Sequence, residues 1–248
     1  MCSRYLLAQE HLRAILTRLG IPSPGTLPST RYNLPPGGVI PAVRPRTARS
    51  HTGLGEDRRA GRELAALHWG LVPSWARDDD SPIINARAES LAEKPSFRDA
   101  FRRRRCLIPA SGFYEWKAIG SARQPWLFRR PDGAPFGFAG LWETWNTPDG
   151  SVRESCAVIT TAPNALMAPI HHRMPVILAE KQWAAWLDPD YTEPAQLAPL
   201  LAPWAAEAMT ATAVTRRVNH VDFDEPACLT PPTPDEAPRT EDQLGLGF

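Results

Sequence analysis

Apolar positions first fall at helical spacing over residues 8–19 (AQEHLRAILTRL), where Leu12, Ile15, Leu16 and Leu19 share a face and Gly20 supplies a stop. The spacing predicts an amphipathic helix. Residues 21–31 are rich in Pro, Gly, Ser and Thr and read as a loop. In RYNLPPGGVIPAVR (31–44), Pro35-Pro36-Gly37-Gly38 forces a turn before a short strand. The polar, Arg- and Gly-rich stretch 45–62 reads as an exposed hairpin connection, and 64–72 (LAALHWGLV) as a buried strand. Pro73-Ser74-Trp75 turns the chain, and Asp78-Asp79-Asp80 marks solvent.

Ile83 to Glu89 leads into a helix predicted around 96–105, with Phe97 and Phe101 facing inward at i, i+4. Strands are predicted over 106–117, 125–130, 135–142, 156–162 and 175–179, and 163–168 is a turn or short helix. Residues 180–187 (EKQWAAWL) form a helix with Trp183 and Trp186 on its apolar side. A further helix is expected over 194–208 and a last strand over 210–218. From Glu225 the chain is Pro-rich, acidic and aperiodic, which predicts one domain over 1–224 and a disordered tail over 225–248. Strands dominate and helices are irregularly interspersed, so the expected class is α+β with a mixed, partly barrel-like sheet core.

Composition changes this picture little. The 248 residues, 43% hydrophobic and 22% charged, suit a soluble globular protein with a sizeable core. No apolar run reaches membrane-spanning length and no signal-peptide pattern opens the chain, so a cytoplasmic protein is expected. Cys2, Cys106, Cys156 and Cys228 are widely spread without a CxxC pair, which disfavours a zinc site and a disulfide framework. No metal or cofactor is expected. Charge matters more: the net +1 hides seven acids against one base in 222–248, leaving 27 bases against 20 acids before it. All but Lys94, Lys117 and Lys181 of those bases are arginine, the side chain suited to forked phosphate contacts, though GC-rich codon usage produces the same bias.

Several residues can carry chemistry. Cys2 follows Met1, so one cleavage leaves a cysteine with a free α-amine. Its amine (pKa about 7.7–8.0) and thiol (about 8.5) are both partly unprotonated near neutrality. An aldehyde reacts with that pair to give an imine that sulfur closes into a thiazolidine; Cys2 is otherwise an arbitrary second residue. Asn85 in INARAE is an ordinary strand-to-loop asparagine or a hydrogen-bonding partner of the amine or sugar, with Arg87 on a phosphate. Glu115 lies between Tyr114 and Trp116: facing solvent it is inert, facing inward its pKa rises and it becomes a proton donor. At most one of His171 and His172 enters a given site, because neighbours in an extended segment point opposite ways. Trp69 and Trp75 are core anchors or, if exposed, base-stacking platforms. Arg102 to Arg105 is a solvated helix end or a phosphate patch.

MCSRY, RYNLPPG, WGLVPSWA, INARAE, CLIPASGFYEW and TTAPN…IHHRMPVIL stand in the order and spacing of the SOS-response-associated peptidase (SRAP) family, the YedK-like proteins, across residues 1 to about 222. Each piece alone is weak; six in order are specific, and the chain resembles this family. The resemblance implies a single α+β domain with a curved, barrel-like mixed sheet, flanking helices and a basic cleft for single-stranded DNA. It also implies removal of Met1 by the protein itself. The exposed cysteine then links covalently, as a thiazolidine, to abasic sites in single-stranded DNA, shielding the lesion in the DNA damage response. Weak lyase activity is a side route. It places the catalytic roles on Cys2, Asn85, Glu115 and His171, and DNA contacts on Arg4, Trp75, Arg87, Thr160 and Arg173. Ser3 stands where the family has glycine, and His172 where it has aspartate.

The expected partner is single-stranded DNA containing abasic sites, with replication-fork proteins as further candidates, no membrane, and a monomeric state. Two rivals stay open on the sequence. One is a thiol peptidase on protein substrates, with Cys2 and His171 as nucleophile and base. The other is a non-covalent single-strand binder.

Overall fold

The computed structural model describes residues 2–46 and 61–236. Residues 47–60 of the predicted connection and 237–248 of the predicted tail lie outside the described residues. The N-terminal segment gives β1 (Tyr5–Leu7) and α1 (Gln9–Arg18), the latter burying Leu12, Ile15 and Leu16 as its spacing requires. Then come β2 (Arg31–Leu34), β3 (Val39–Pro45), β4 (Arg62–Trp69) and β5 (Asn85–Arg87). After α2 (Arg98–Arg103) follow β6 (Arg105–Ala110), β7 (Gly112–Ile119), β8 (Ala122–Arg129), β9 (Phe136–Asn146) and β10 (Val152–Thr161). β11 (Met174–Pro175), α3 (Glu180–Trp186), α4 (Pro194–Leu197) and β12 (Thr210–Ala213) complete the order.

The strands form two sheets. One has the order β12-β8-β7-β1-β2. In the other, β10-β4-β3-β6-β9 closes on itself because β9 pairs again with β10, while β5 and β11 attach to the end of β10. Closure leaves no edge in the ring, and the sheet is mixed because β4 and β5 run parallel to β10. The α+β, barrel-cored class is therefore observed. Aromatic contacts weld the sheets together: the Tyr5 ring centroid lies 5.4 Å from Trp69 and 6.2 Å from Phe138, and Phe113 lies 5.8 Å from Phe138. No helix among the described residues is long and apolar enough to cross a membrane.

Five predicted elements change. The strand expected over 175–179 is reduced to Met174–Pro175, with an isolated bridge from Ile177 to Phe138. The single strand expected over 106–117 is two strands in different sheets, broken at Ser111, whose N–H donates to Leu6 O and whose Oγ accepts the Ala8 N–H at the start of α1. The helix expected over 194–208 shrinks to Pro194–Leu197 with two short 3-10 turns, because Pro199 and Pro203 supply no amide hydrogen. The last strand stops at Ala213; Thr215 then caps a 3-10 turn over Arg216–Asn219. Residues 225–236 do not begin an unstructured tail. Pro226–Leu229 is a 3-10 turn, Cys228 is fully buried beside Leu6, Tyr114, Leu127, Val214 and Val218, and Glu236 accepts the Thr215 hydroxyl. The apolar contribution of Ala227, Cys228 and Leu229 is too short to register as periodicity.

Arg102 and Arg103 are exposed, as a solvated helix end requires, but Arg105 is neither solvated nor a phosphate ligand. Its guanidinium donates to the carbonyls of Phe101, Arg102, Trp186 and Asp188, which satisfies the ends of α2 and α3 together.

Candidate active site

The site grows from the pairing of β1 with β7. Tyr5 stands opposite Phe113 and Leu6 opposite Gly112, and the Tyr114 N–H donates to Arg4 O at 3.0 Å, carrying the ladder towards the chain's start. Phe113 and Glu115, two apart on β7, share the face turned to the main core; Tyr114 faces the second cluster with Cys228. Both faces of β7 are thus covered, and Glu115 is only 2% exposed. Burial pushes its carboxyl up to about 7.

Cys2 is fully buried. Its carbonyl oxygen accepts from Asn85 Nδ2 at 2.8 Å. Burial first, and then the charge of Glu115, raise the Cys2 thiol far above its ordinary pKa, against the opposing pull of the Arg4 N–H. The sulfur is therefore held as a neutral thiol. Asn85 is presented by β5, which is fixed by parallel pairing of Asn85, Ala86 and Arg87 with Val158, Ile159 and Thr160. Asn85 Oδ1 is buried with no partner among the described residues, so the amide keeps one acceptor for a ligand or an amine.

His171 lies in the segment before β11, its ring stacked on His172 with centroids 4.4 Å apart. Its Nδ1 accepts the Arg173 N–H at 3.1 Å, which puts the proton of the neutral ring on Nε2; on protonation Nδ1 finds Arg173 O at 3.2 Å. Burial lowers its pKa, and the positive charge of the chain's amino terminus pulls both this group and the Glu115 carboxyl down. Cys2, Asn85, Glu115 and His171 accordingly converge on the start of the chain.

The expected DNA contacts are less uniform. Arg87 is exposed on β5, beside Asn85. Trp75 stands on the turn after β4, 64% exposed. Arg173 forms a forked ion pair with Glu89 at 2.7 and 2.9 Å and donates to Thr160 O at 2.6 Å. Thr160 itself is fully buried, and its carbonyl is the stronger contact to Arg173. The Arg4 guanidinium donates to Asn33 Oδ1 at 2.7 Å and Val218 O at 3.0 Å. Two residues escaped the sequence reading. Glu89 sits in INARAE, where a carboxylate four positions after Asn85 signals nothing without the fold. Asn33 donates through Nδ2 to the carbonyls of Val218, His220 and Phe223, tying the RYNL stretch to the C-terminal strap. Among the described residues no three His, Cys, Asp or Glu side chains are grouped to hold a metal ion.

Known proteins resemble this chain over most of its length. The model of the SOS response associated peptidase (SRAP) family matches residues 1–221. The abasic site processing protein YoqW of Bacillus subtilis is 40% identical over 232 residues, 92% of this chain and 99% of that protein. The abasic site processing protein HMCES of Gallus gallus is 30% identical over 196 residues, 68% of this chain and 58% of that protein. A crystal structure of a Bacteroides thetaiotaomicron protein superimposes with a TM-score of 0.79 at 25% identity, covering 94% of this chain and all of that one. Match length, identity and fold agree, and the chain belongs to the SRAP family.

Proposed function

We propose that this protein captures abasic sites in single-stranded DNA by forming a thiazolidine between the Cys2 aminothiol and the sugar aldehyde. The observation that carries the reading is the Asn85–Cys2 bond at 2.8 Å beside a buried carboxyl poised near neutrality. Relatives named abasic site processing proteins support the substrate class.

In this reading, hydrolysis of the Met1–Cys2 bond, assisted by Glu115, first creates the α-amine. His171, once protonated on both ring nitrogens, donates its Nε2 proton to the ring oxygen of the abasic deoxyribose and returns to the neutral ring, while the C1′ hydroxyl proton passes to water, which opens the hemiacetal to the aldehyde. The amine adds to the carbonyl carbon and one water leaves, giving an imine. The Cys2 S–H then adds across the C=N bond: sulfur bonds to carbon and the proton goes to nitrogen. Nothing is oxidised or reduced. A thiol kept neutral by burial makes the amine attack first, and Glu115 ferries the protons of both additions because its pKa matches the working pH. Asn85 fixes the reacting residue, supplying the proximity that free cysteine lacks.

The peptidase rival requires a thiolate reachable by a polypeptide and paired with histidine. Cys2 is fully buried and its thiol is shifted away from ionisation, which favours a small base-less sugar over a protein substrate. Incubation with an abasic single-stranded oligonucleotide followed by denaturing electrophoresis tests the proposal. A retarded band with the native protein, absent with Cys2→Ala, is expected. Only salt-reversible complexes would contradict it.

A further inference from the structure

Arg173 and Glu89 meet at the edge of the site in a geometry with its own meaning. The Arg173 side chain is only 11% exposed, and Thr160 O takes one of its N–H groups at 2.6 Å. Its Nε is buried without a partner among the described residues. The forked face of the guanidinium is taken by the two oxygens of Glu89, at 2.7 and 2.9 Å. Glu89 is the exposed half of the pair: its side chain is 56% exposed and sits on the 3-10 turn Ala88–Ser90, directly after the strand that presents Asn85 and Arg87. Arg173 is the buried half, and its own N–H donates to His171 Nδ1. A carboxylate and a phosphodiester each offer two oxygens to a guanidinium fork in the same way.

We propose that Glu89 is the anion placeholder of a phosphate seat on Arg173, displaced when the phosphodiester next to an abasic sugar binds, and that it thereby biases the site against undamaged strands. The inference rests on the reading of the site as one for single-stranded DNA. In the DNA-free protein Glu89 neutralises Arg173, so an undamaged strand gains little by exchanging one anion for another. A strand whose abasic sugar is held at Cys2 presents its neighbouring phosphate at high effective concentration and completes the exchange. The released carboxylate turns into water at small cost because it is already half exposed.

The test measures binding of an undamaged single-stranded oligonucleotide by fluorescence anisotropy across a salt series, using the full chain. Glu89→Gln is expected to tighten binding several-fold at low salt and to steepen the log K against log salt slope by about 0.7, the signature of one added phosphate contact. Glu93→Gln, at an exposed acid four residues away, reports the effect of net charge alone and is expected to change the slope less. In an Arg173→Gln background the gain from Glu89→Gln should fall to the level of Glu93→Gln. Binding by Glu89→Gln that is unchanged or weaker, an unaltered slope, or a gain that survives Arg173→Gln would overturn the placeholder role. Covalent adduct formation by the wild-type preparation on an abasic oligonucleotide is scored in parallel. Adduct together with any of those three results removes the placeholder alone; absence of adduct removes the functional reading and the placeholder with it.

Discussion

Asn85 Nδ2 lies 2.8 Å from the carbonyl oxygen of Cys2, so a residue of the barrel holds the backbone of a cysteine 83 positions earlier in the chain. The strand that carries Asn85 is three residues long and owes its position to β10. Cys2 is thus registered against the barrel rather than left at a frayed terminus.

Asn85→Ala should slow adduct formation by about 10- to 100-fold, the equivalent of losing a positioning hydrogen bond of roughly 1.5–3 kcal/mol. Initial rates on an abasic oligonucleotide measure this. Thermal stability should change little by comparison, because the hydrogen bond of Nδ2 is to the terminal segment.

Glu115 links stability to pH with a definite sign. Its ordinary pKa of 4.5 rises to about 7 on folding, so the folded state favours the protonated carboxyl. The contribution is fully present below pH 4.5, is lost as pH rises to about 7, and is constant above, a loss on the order of 3 kcal/mol. Glu115→Gln mimics the protonated form. Urea unfolding at pH 5 and pH 8 should show a smaller decline for the variant than for the wild type. The rising limb of the adduct-formation rate near pH 7 should vanish in the same variant.

Trp75 exposes 64% of its surface and buries little in the core. Trp75→Ala should leave the melting temperature nearly unchanged while weakening single-strand binding by about 1–3 kcal/mol, the usual worth of one stacked base. Anisotropy titration and a thermal melt on the same sample separate the two effects.

Gly112 sets how closely β7 approaches its neighbours. A Cβ there would stand 2.8 Å from the Phe128 carbonyl oxygen and 3.1 Å from Leu6 Cδ2. Because the first of these is backbone, Gly112→Ala must shift β7, costing roughly 1–3 kcal/mol in denaturant unfolding. The displacement acts on the strand that carries Glu115, so adduct formation should slow as well.

The helix over 8–19 was legible because Leu12, Ile15 and Leu16 repeat on one exposed-backed face. The 106–117 run was not, because its residues are buried on both sides and an unbroken apolar stretch hides the change of sheet at Ser111. For the same reason alternation around Glu115 left its direction open: Tyr114 faces one core cluster and Phe113 another. The four positions proposed to react came from motifs shared with a family, not from periodicity. Their convergence depends on β1–β7 and β5–β10 pairings between residues distant in sequence, which no local pattern encodes. Glu89 acts through a partner 84 residues away and the Asn33 Nδ2 through partners 185 or more residues away, and so neither left a local mark.

The acidic composition after Glu225 pointed to a free tail, yet Cys228 closes a small core against Leu6 and Tyr114. Truncation after Asp224 should lower the melting temperature by a few degrees, corresponding to a loss of at least ~1 kcal/mol. An unchanged melt would show that this strap adds nothing to the fold.

The most direct measurement is the intact mass of the adduct formed on an abasic single-stranded oligonucleotide, without chemical reduction. The expected mass is that of the chain lacking Met1 plus the oligonucleotide minus one water, with no adduct for Cys2→Ala. An adduct that retains Met1, or one that forms on Cys2→Ala, would contradict it.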